Sequence, residues 1–109
     1  MRYVTSTGFV AREIGFGLLV GRVRITYGTH ALGNLVDRAL ERVWIERTVA
    51  EPEDTETDPK HPERRRAYRS VPERDGRMLR VVYVPTEDGV HIVTAFFDRS
   101  RRRPREVAV

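Results

Sequence analysis

His30, Arg66, Tyr68 and Arg80 are the residues of this 109-residue chain whose types and spacing could do chemistry together. An imidazole with an unperturbed pKa of about 6.5 can take or give a proton at neutral pH. Arg66 and Tyr68 are two apart, so on a strand they project from one face. Arg80 falls on the strand expected beside theirs. Two guanidinium forks and a phenol converging on one point would hold a phosphate. The same guanidiniums have a second reading, as partners of acids such as Asp37 and Glu41 across the fold. His30 has one too, as a helix-start residue packed against the sheet. His61 follows Lys60 in an acidic loop and reads as solvated. His91 reads as a surface residue of a strand, on the side of Val93 and Ala95.

The rest of the composition narrows the chemistry. There is no Cys, which rules out disulfides, thiolate nucleophiles, Cys zinc sites and iron–sulfur clusters. His61 lies near Asp58 and Glu63, but no second His sits at metal-ligand spacing, so neither a metal nor another cofactor is expected. Gly15-Phe16-Gly17 lacks the third glycine and following helix of a dinucleotide loop, and no Gly-x-Ser-x-Gly nucleophile occurs. Nineteen of the twenty basic residues are Arg. Charge is unevenly spread: +3 over residues 1–29, −5 over 30–58 and +6 over 59–109. Such asymmetry marks a polyanion-binding surface, an acidic partner or a solvated face. The longest apolar stretch, residues 14–20, is far short of the roughly 20 residues of a membrane span. Glu13 before it and Gly21-Arg22-Val23-Arg24 after it make a poor secretion signal. A cytoplasmic protein with no membrane partner is expected.

The elements that must position these side chains begin at Val23. Val23, Ile25 and Tyr27 alternate with Arg24 and Thr26, as in a half-buried strand. Gly28 punctuates the chain, and Thr29 can cap a helix carrying Ala31, Leu35 and Ala39 on one stripe. A second helical stretch, about 41–50, presents Trp44, Ile45 and Val49 and ends at Pro52. Residues 51–62, with three prolines and five acids, read as a loop or a poor edge strand. A meander follows: residues 64–71, a turn at Asp75-Gly76, the apolar strand 78–84, a turn at Asp88-Gly89 and strand 90–97. The fold class is α+β, with one or two N-terminal helices packed on a curved antiparallel sheet. Trp44, Ile45, Val49 and Leu35 should cover Leu79, Val81, Val93 and Ala95. Residues 1–22 form an N-terminal arm, 23–98 the single domain, and 99–109 a basic tail.

His30-Ala31, Arg38 eight residues later, Glu51-Pro52-Glu53, Arg65-Arg66-Ala67-Tyr68, Leu79-Arg80-Val81-Val82-Tyr83 and Ile92-Val93-Thr94-Ala95 together resemble a small bacterial family of domains of unknown function. That family is similar in layout to BrnT and more distantly to RelE-type toxins, the ribonucleases of toxin–antitoxin pairs. The resemblance covers residues 24–98. Ala39 departs from it where Gly is frequent, and so does Gly33, inside the first helix. It implies a RelE/BrnT-like fold and metal-independent RNA cleavage by attack of a 2′-hydroxyl on the adjacent phosphate. His30, Arg66, Tyr68 and Arg80 would be catalytic, and Arg38, Lys60, Arg65, Arg101, Arg102 and Arg103 would hold nucleic acid. Its partners would be an antitoxin protein and RNA or the ribosome. The alternative is a non-catalytic module of the same fold that binds protein or RNA.

Overall fold

A computed structural model describes residues 23–101 and, before them, the backbone of three short strands. These are β1 (Tyr3–Val4), β2 (Arg12–Glu13) and β3 (Leu18–Leu19). The alternation at Val23 becomes β4 (Arg24–Gly28), followed by α1 (Thr29–Asp37) and α2 (Arg42–Ala50). Then come β5 (Asp54–Thr57), β6 (Arg65–Val71), a 3-10 turn at Pro72–Arg74, β7 (Arg77–Pro85) and β8 (Gly89–Phe97). The architecture is α+β, two helices packed on one sheet. The acidic segment forms an edge strand, as its prolines and charges suggest.

Two expectations need correction. The sheet is mixed, not antiparallel: its order is β1-β4-β8-β7-β6-β5, and β4 runs parallel to β8 with Arg24 opposite Gly89 and Thr26 opposite His91. All other pairs are antiparallel. The helices are not N-terminal either, since they leave from the end of β4. Parallel pairing between segments so far apart has no local signature, because the crossover between them is the whole helical and meander part of the chain.

One sheet face is buried under the helices. Ile25, Tyr27, Leu79, Val81, Ile92 and Ala95 join Ala31, Leu40, Trp44 and Ile45 in a single core, with Leu35 and Val49 packed against it. Ile92 stands where Val93 was expected. The ladder between β7 and β8 shifts at Val82/Tyr83, where Val82 opposes Thr94 and Tyr83 opposes Ile92. Val93 is the extra residue, and a bulge of this kind reverses the facing of everything beyond it. For the same reason His91 does not share a side with Ala95. It pairs with Val84 and Thr26 on the face away from the helices. Polar contacts tie the layers together: the Tyr27 hydroxyl donates to Glu46 at 3.1 Å, and buried Asn34 donates to Thr94 at 2.6 Å.

The break between the helices has a definite geometry. Ala39 has φ +53°, in the left-handed region. Its N–H reaches Val36 O at 3.3 Å, and the N–H of Leu40 reaches Leu35 O at 3.0 Å. These are the two bonds of a Schellman motif, closed by the apolar pair Leu35 and Leu40. At the other end of α1 the cap is Gly28, one residue before Thr29, with extended backbone and no side-chain capping bond.

Two stability outcomes follow from these positions. Ala39→Gly relieves a side chain held at positive φ, offset by the greater freedom of Gly when unfolded, and should stabilise by about 0.5–1 kcal/mol. Trp44, only 5% exposed, should lose about 3–5 kcal/mol on Trp44→Ala. Urea unfolding of both variants measures the two shifts, which have opposite signs.

Candidate active site and a neutralised guanidinium cluster

The face opposite the core is organised in cross-strand rows, and α1 reaches it along the β8 edge through Asn34 and Arg38. One row reads Asp54, Tyr68, Arg80 and Phe96, and the next Glu56, Arg66, Val82 and Thr94. Arg66, Tyr68 and Arg80 are therefore brought together, as their spacing requires. Tyr68 is buried, with the Arg80 and Arg101 guanidiniums 5.6 and 3.6 Å from its ring centroid. Burial and the Glu56 hydrogen bond push its hydroxyl pKa up.

Each guanidinium in the cluster is matched by acid. Glu56 Oε2 accepts from Tyr68 at 2.8 Å and from Arg66 at 2.9 Å, while Oε1 accepts from Arg101 at 3.0 Å. Arg101 also donates to Asp54 at 2.6 Å, Arg66 lies 3.4 Å from Asp58, and Arg80 lies 2.8 Å from Asp98. Three guanidiniums thus face four carboxylates, and a second anion would meet no net positive charge. The second reading, pairing with acids across the fold, holds for Arg66 and Arg80, but the partners are Glu56, Asp58 and Asp98 in place of Asp37 and Glu41.

His30 lies apart from this cluster. It lines a pocket of about 500 Å³ with Gly28, Thr29, Arg64, Val84 and His91 at the start of α1. Glu63 also lines it, 3.7 Å from Arg64 and 3.9 Å from the exposed His61. The parallel register sets Thr26 opposite His91, and Thr26 Oγ1 lies 2.8 Å from His91 Nδ1. Gly28 makes room for the ring, since a Cβ there would stand 3.1 Å from His91 Nε2. Burial pushes the His91 pKa down, so the imidazole is neutral at pH 7. The α1 N-terminus adds a fixed positive dipole end at the same place. The pocket thus gathers two imidazoles, a guanidinium that also faces Glu63, and a helix N-terminus, groups that can move protons and meet an anion. The sequence reading takes His91 as a surface strand residue and gives Arg64, Thr26 and Gly28 no role, because the β4–β8 pairing brings Thr26 and Gly28 to His91 and the β6–β7–β8 register brings Arg64.

The expected nucleic-acid contacts divide. Arg38 is exposed at the end of α1, with its guanidinium 5.9 Å from the Phe96 ring centroid. Lys60 and Arg65 are exposed, whereas Arg101 is locked over Tyr68 and is not part of a loose tail. Arg102 and Arg103 lie outside the described residues. Among the described residues no group of three His, Asp or Glu is placed to hold a metal ion, and no helix is long and apolar enough to cross a membrane.

The carboxylate network predicts a pH dependence. Hydrogen bonds from Arg101 to Asp54 and from Tyr68 and Arg66 to Glu56 hold both groups below the usual carboxylate range. The Lys60 and His61 backbone N–H groups do the same for Asp58. Folded pKa values below the unfolded ones give stability that is complete above about pH 4.5 and is lost as pH falls through the lowered values. Urea midpoints from pH 6 to 3 should fall at the acid end, and Arg101→Ala should flatten that fall. Parallel curves for the two proteins would show that the network does not set acid stability.

The family model for a domain of unknown function, DUF4258, matches residues 27–97, from the end of β4 through both helices to the last residue of β8. No curated protein and no solved structure matches the chain. The matched stretch carries every residue lining the histidine pocket, and Arg66, Tyr68 and Arg80 of the cluster, but not Asp98 or Arg101; the chain belongs to the DUF4258 family.

Proposed function

We propose that the protein is a metal-independent RNA endonuclease, acting at the pocket between the α1 N-terminus and β8. The observation that carries this reading is the pair His30 and His91 lining one pocket with Arg64. In the tautomer that donates Nδ1–H to Thr26 Oγ1, His91 takes the proton of a 2′-hydroxyl at Nε2. The O2′–P bond forms and the P–O5′ bond breaks, leaving a 2′,3′-cyclic phosphate. His30 gives a proton to the departing 5′ oxygen. Arg64 and the helix N-terminus stabilise the charge that develops on the phosphorane.

A helix pair packed on a mostly antiparallel sheet supports a RelE/BrnT-like arrangement. The toxin role follows from that likeness: a cytoplasmic enzyme acting on RNA, free or on the ribosome, and silenced by an antitoxin protein. One observation favours the second reading, a non-catalytic binding module of the same fold. The Arg66, Tyr68 and Arg80 cluster is neutralised by acid, so its role is to hold the sheet together.

Single-turnover cleavage of a short RNA in the presence of a chelator tests the proposal. A 2′-deoxy nucleotide at the scissile position should abolish cleavage. His91→Ala and His30→Ala should each lose about 10²–10⁴ in rate. The acidic limb of kcat/KM should lie below about pH 6.5, because the lowered His91 pKa sets it. A folded His91→Ala protein with wild-type cleavage would overturn the assignment, and an Arg80→Ala protein that alone lost activity would move the site to the guanidinium cluster.

A further inference from the structure

We propose that the open end of the sheet, where β7 begins and β8 ends, binds the backbone phosphates of single-stranded RNA. It deepens, and rests on, the reading of the chain as an RNA enzyme. Arg77 and Arg99 line a pocket of about 260 Å³ there, beside Phe97. Arg74 adjoins it at the Phe97 ring, and Arg38 lies over Phe96 on the other side of the same strand end. Arg77 lies 4.4 Å from the Phe97 centroid, and Arg74 lies 5.2 Å from it and 5.7 Å from that of Trp44. Arg38 adjoins the Phe96 ring.

These four guanidiniums differ from those over Tyr68. None forms an ion pair among the described residues. The pocket's acids are Asp75 and Asp98, and Asp98 is already matched by Arg80. The sheet end is therefore positive where the neighbouring face is neutral. A guanidinium stacked on an aromatic ring is held in orientation while its edge donors stay available to phosphate. Phe96 and Phe97 are half-buried, which leaves ring surface for an unpaired base. Arginines interleaved with aromatics suit a single strand better than a duplex, whose bases are stacked away. From His30 to Arg38, α1 spans about 12 Å, so one strand a few nucleotides long can reach both the histidine pocket and the sheet end.

The test is fluorescence anisotropy of a short labelled oligoribonucleotide in a salt series. His30→Ala serves as the parent, because His30 is exposed and its loss blocks cleavage. Adding Arg77→Ala and Arg99→Ala should weaken binding about tenfold and reduce the log–log salt slope by about 1.4, as expected for two single-strand phosphate contacts. Arg77→Lys with Arg99→Lys should keep most of the slope, and circular dichroism checks that each variant is folded. Unchanged affinity and slope in the folded double-alanine variant would overturn the proposal. So would a parent that ignores RNA and binds poly-glutamate instead. Cleavage of a dinucleotide by the otherwise wild-type protein reads the histidine pocket alone. Its absence, with the arginine-dependent RNA binding intact, would contradict the endonuclease reading while leaving this site standing.

Discussion

The parallel pairing of β4 with β8 is the constraint on which the rest of this protein depends. It requires glycine at position 89, where a Cβ would stand 1.8 Å from the carbonyl oxygen of Arg24. Any side chain there would force the strands apart or shift the register. A register shift of one residue would break the Thr26–His91 contact and carry the start of α1 away from the His91 ring. The pairing covers only Arg24–Tyr27 against Gly89–Ile92. Alongside the remaining half of β8 the chain runs as α1, which Asn34 ties to Thr94. One register thus fixes the edge of the sheet, the direction of the first helix and the neighbours of both histidines.

Charge is sorted by the same topology. The acidic middle of the chain folds onto its own basic second half. β5 lies beside β6, so Asp54, Glu56 and Asp58 meet Arg66 and Arg101. Long guanidinium side chains lie over a sheet face that would otherwise present buried Tyr68 to solvent. Among the described residues, Arg38, Arg74, Arg77 and Arg99 form no ion pair, and neither do Lys60, Arg65 and Arg69 elsewhere on the surface. The net charge of +4 therefore says less about where an anion would bind than the placement of the carboxylates does.

Much of this was legible in the sequence, and the missing parts share a cause. Period-two alternation marks β4, an apolar run marks β7, Pro52 ends α2, and two Asp-Gly turns flank β7, because each is a local rule of sterics or pleat. The two-residue spacing of Arg66 and Tyr68 and the adjacency of Arg80 come out as read. Ala39, noted only as a departure from a resembling family, turns out to occupy a left-handed position that explains the usual glycine. What could not be read is non-local. Parallel pairing across more than sixty residues, the bulge that exchanges Val93 for Ile92 in the core, and the choice of Glu56 and Asp98 as ion partners depend on contacts without a short-range pattern. His91 was misplaced for this reason alone: one extra residue in a strand changes the face on which a side chain sits.

The central claim is that the histidine pocket, and not the guanidinium cluster, receives the phosphate. Nuclear magnetic resonance during titration with a nucleoside 3′-monophosphate tests it most directly. The account predicts saturable shifts of the His30 and His91 imidazole signals and of the Gly28 and Thr29 amides, with the Tyr68 ring and the Arg66 and Arg80 side chains unmoved. Shifts at Arg66, Tyr68 and Arg80, with none at the two histidines, would contradict it.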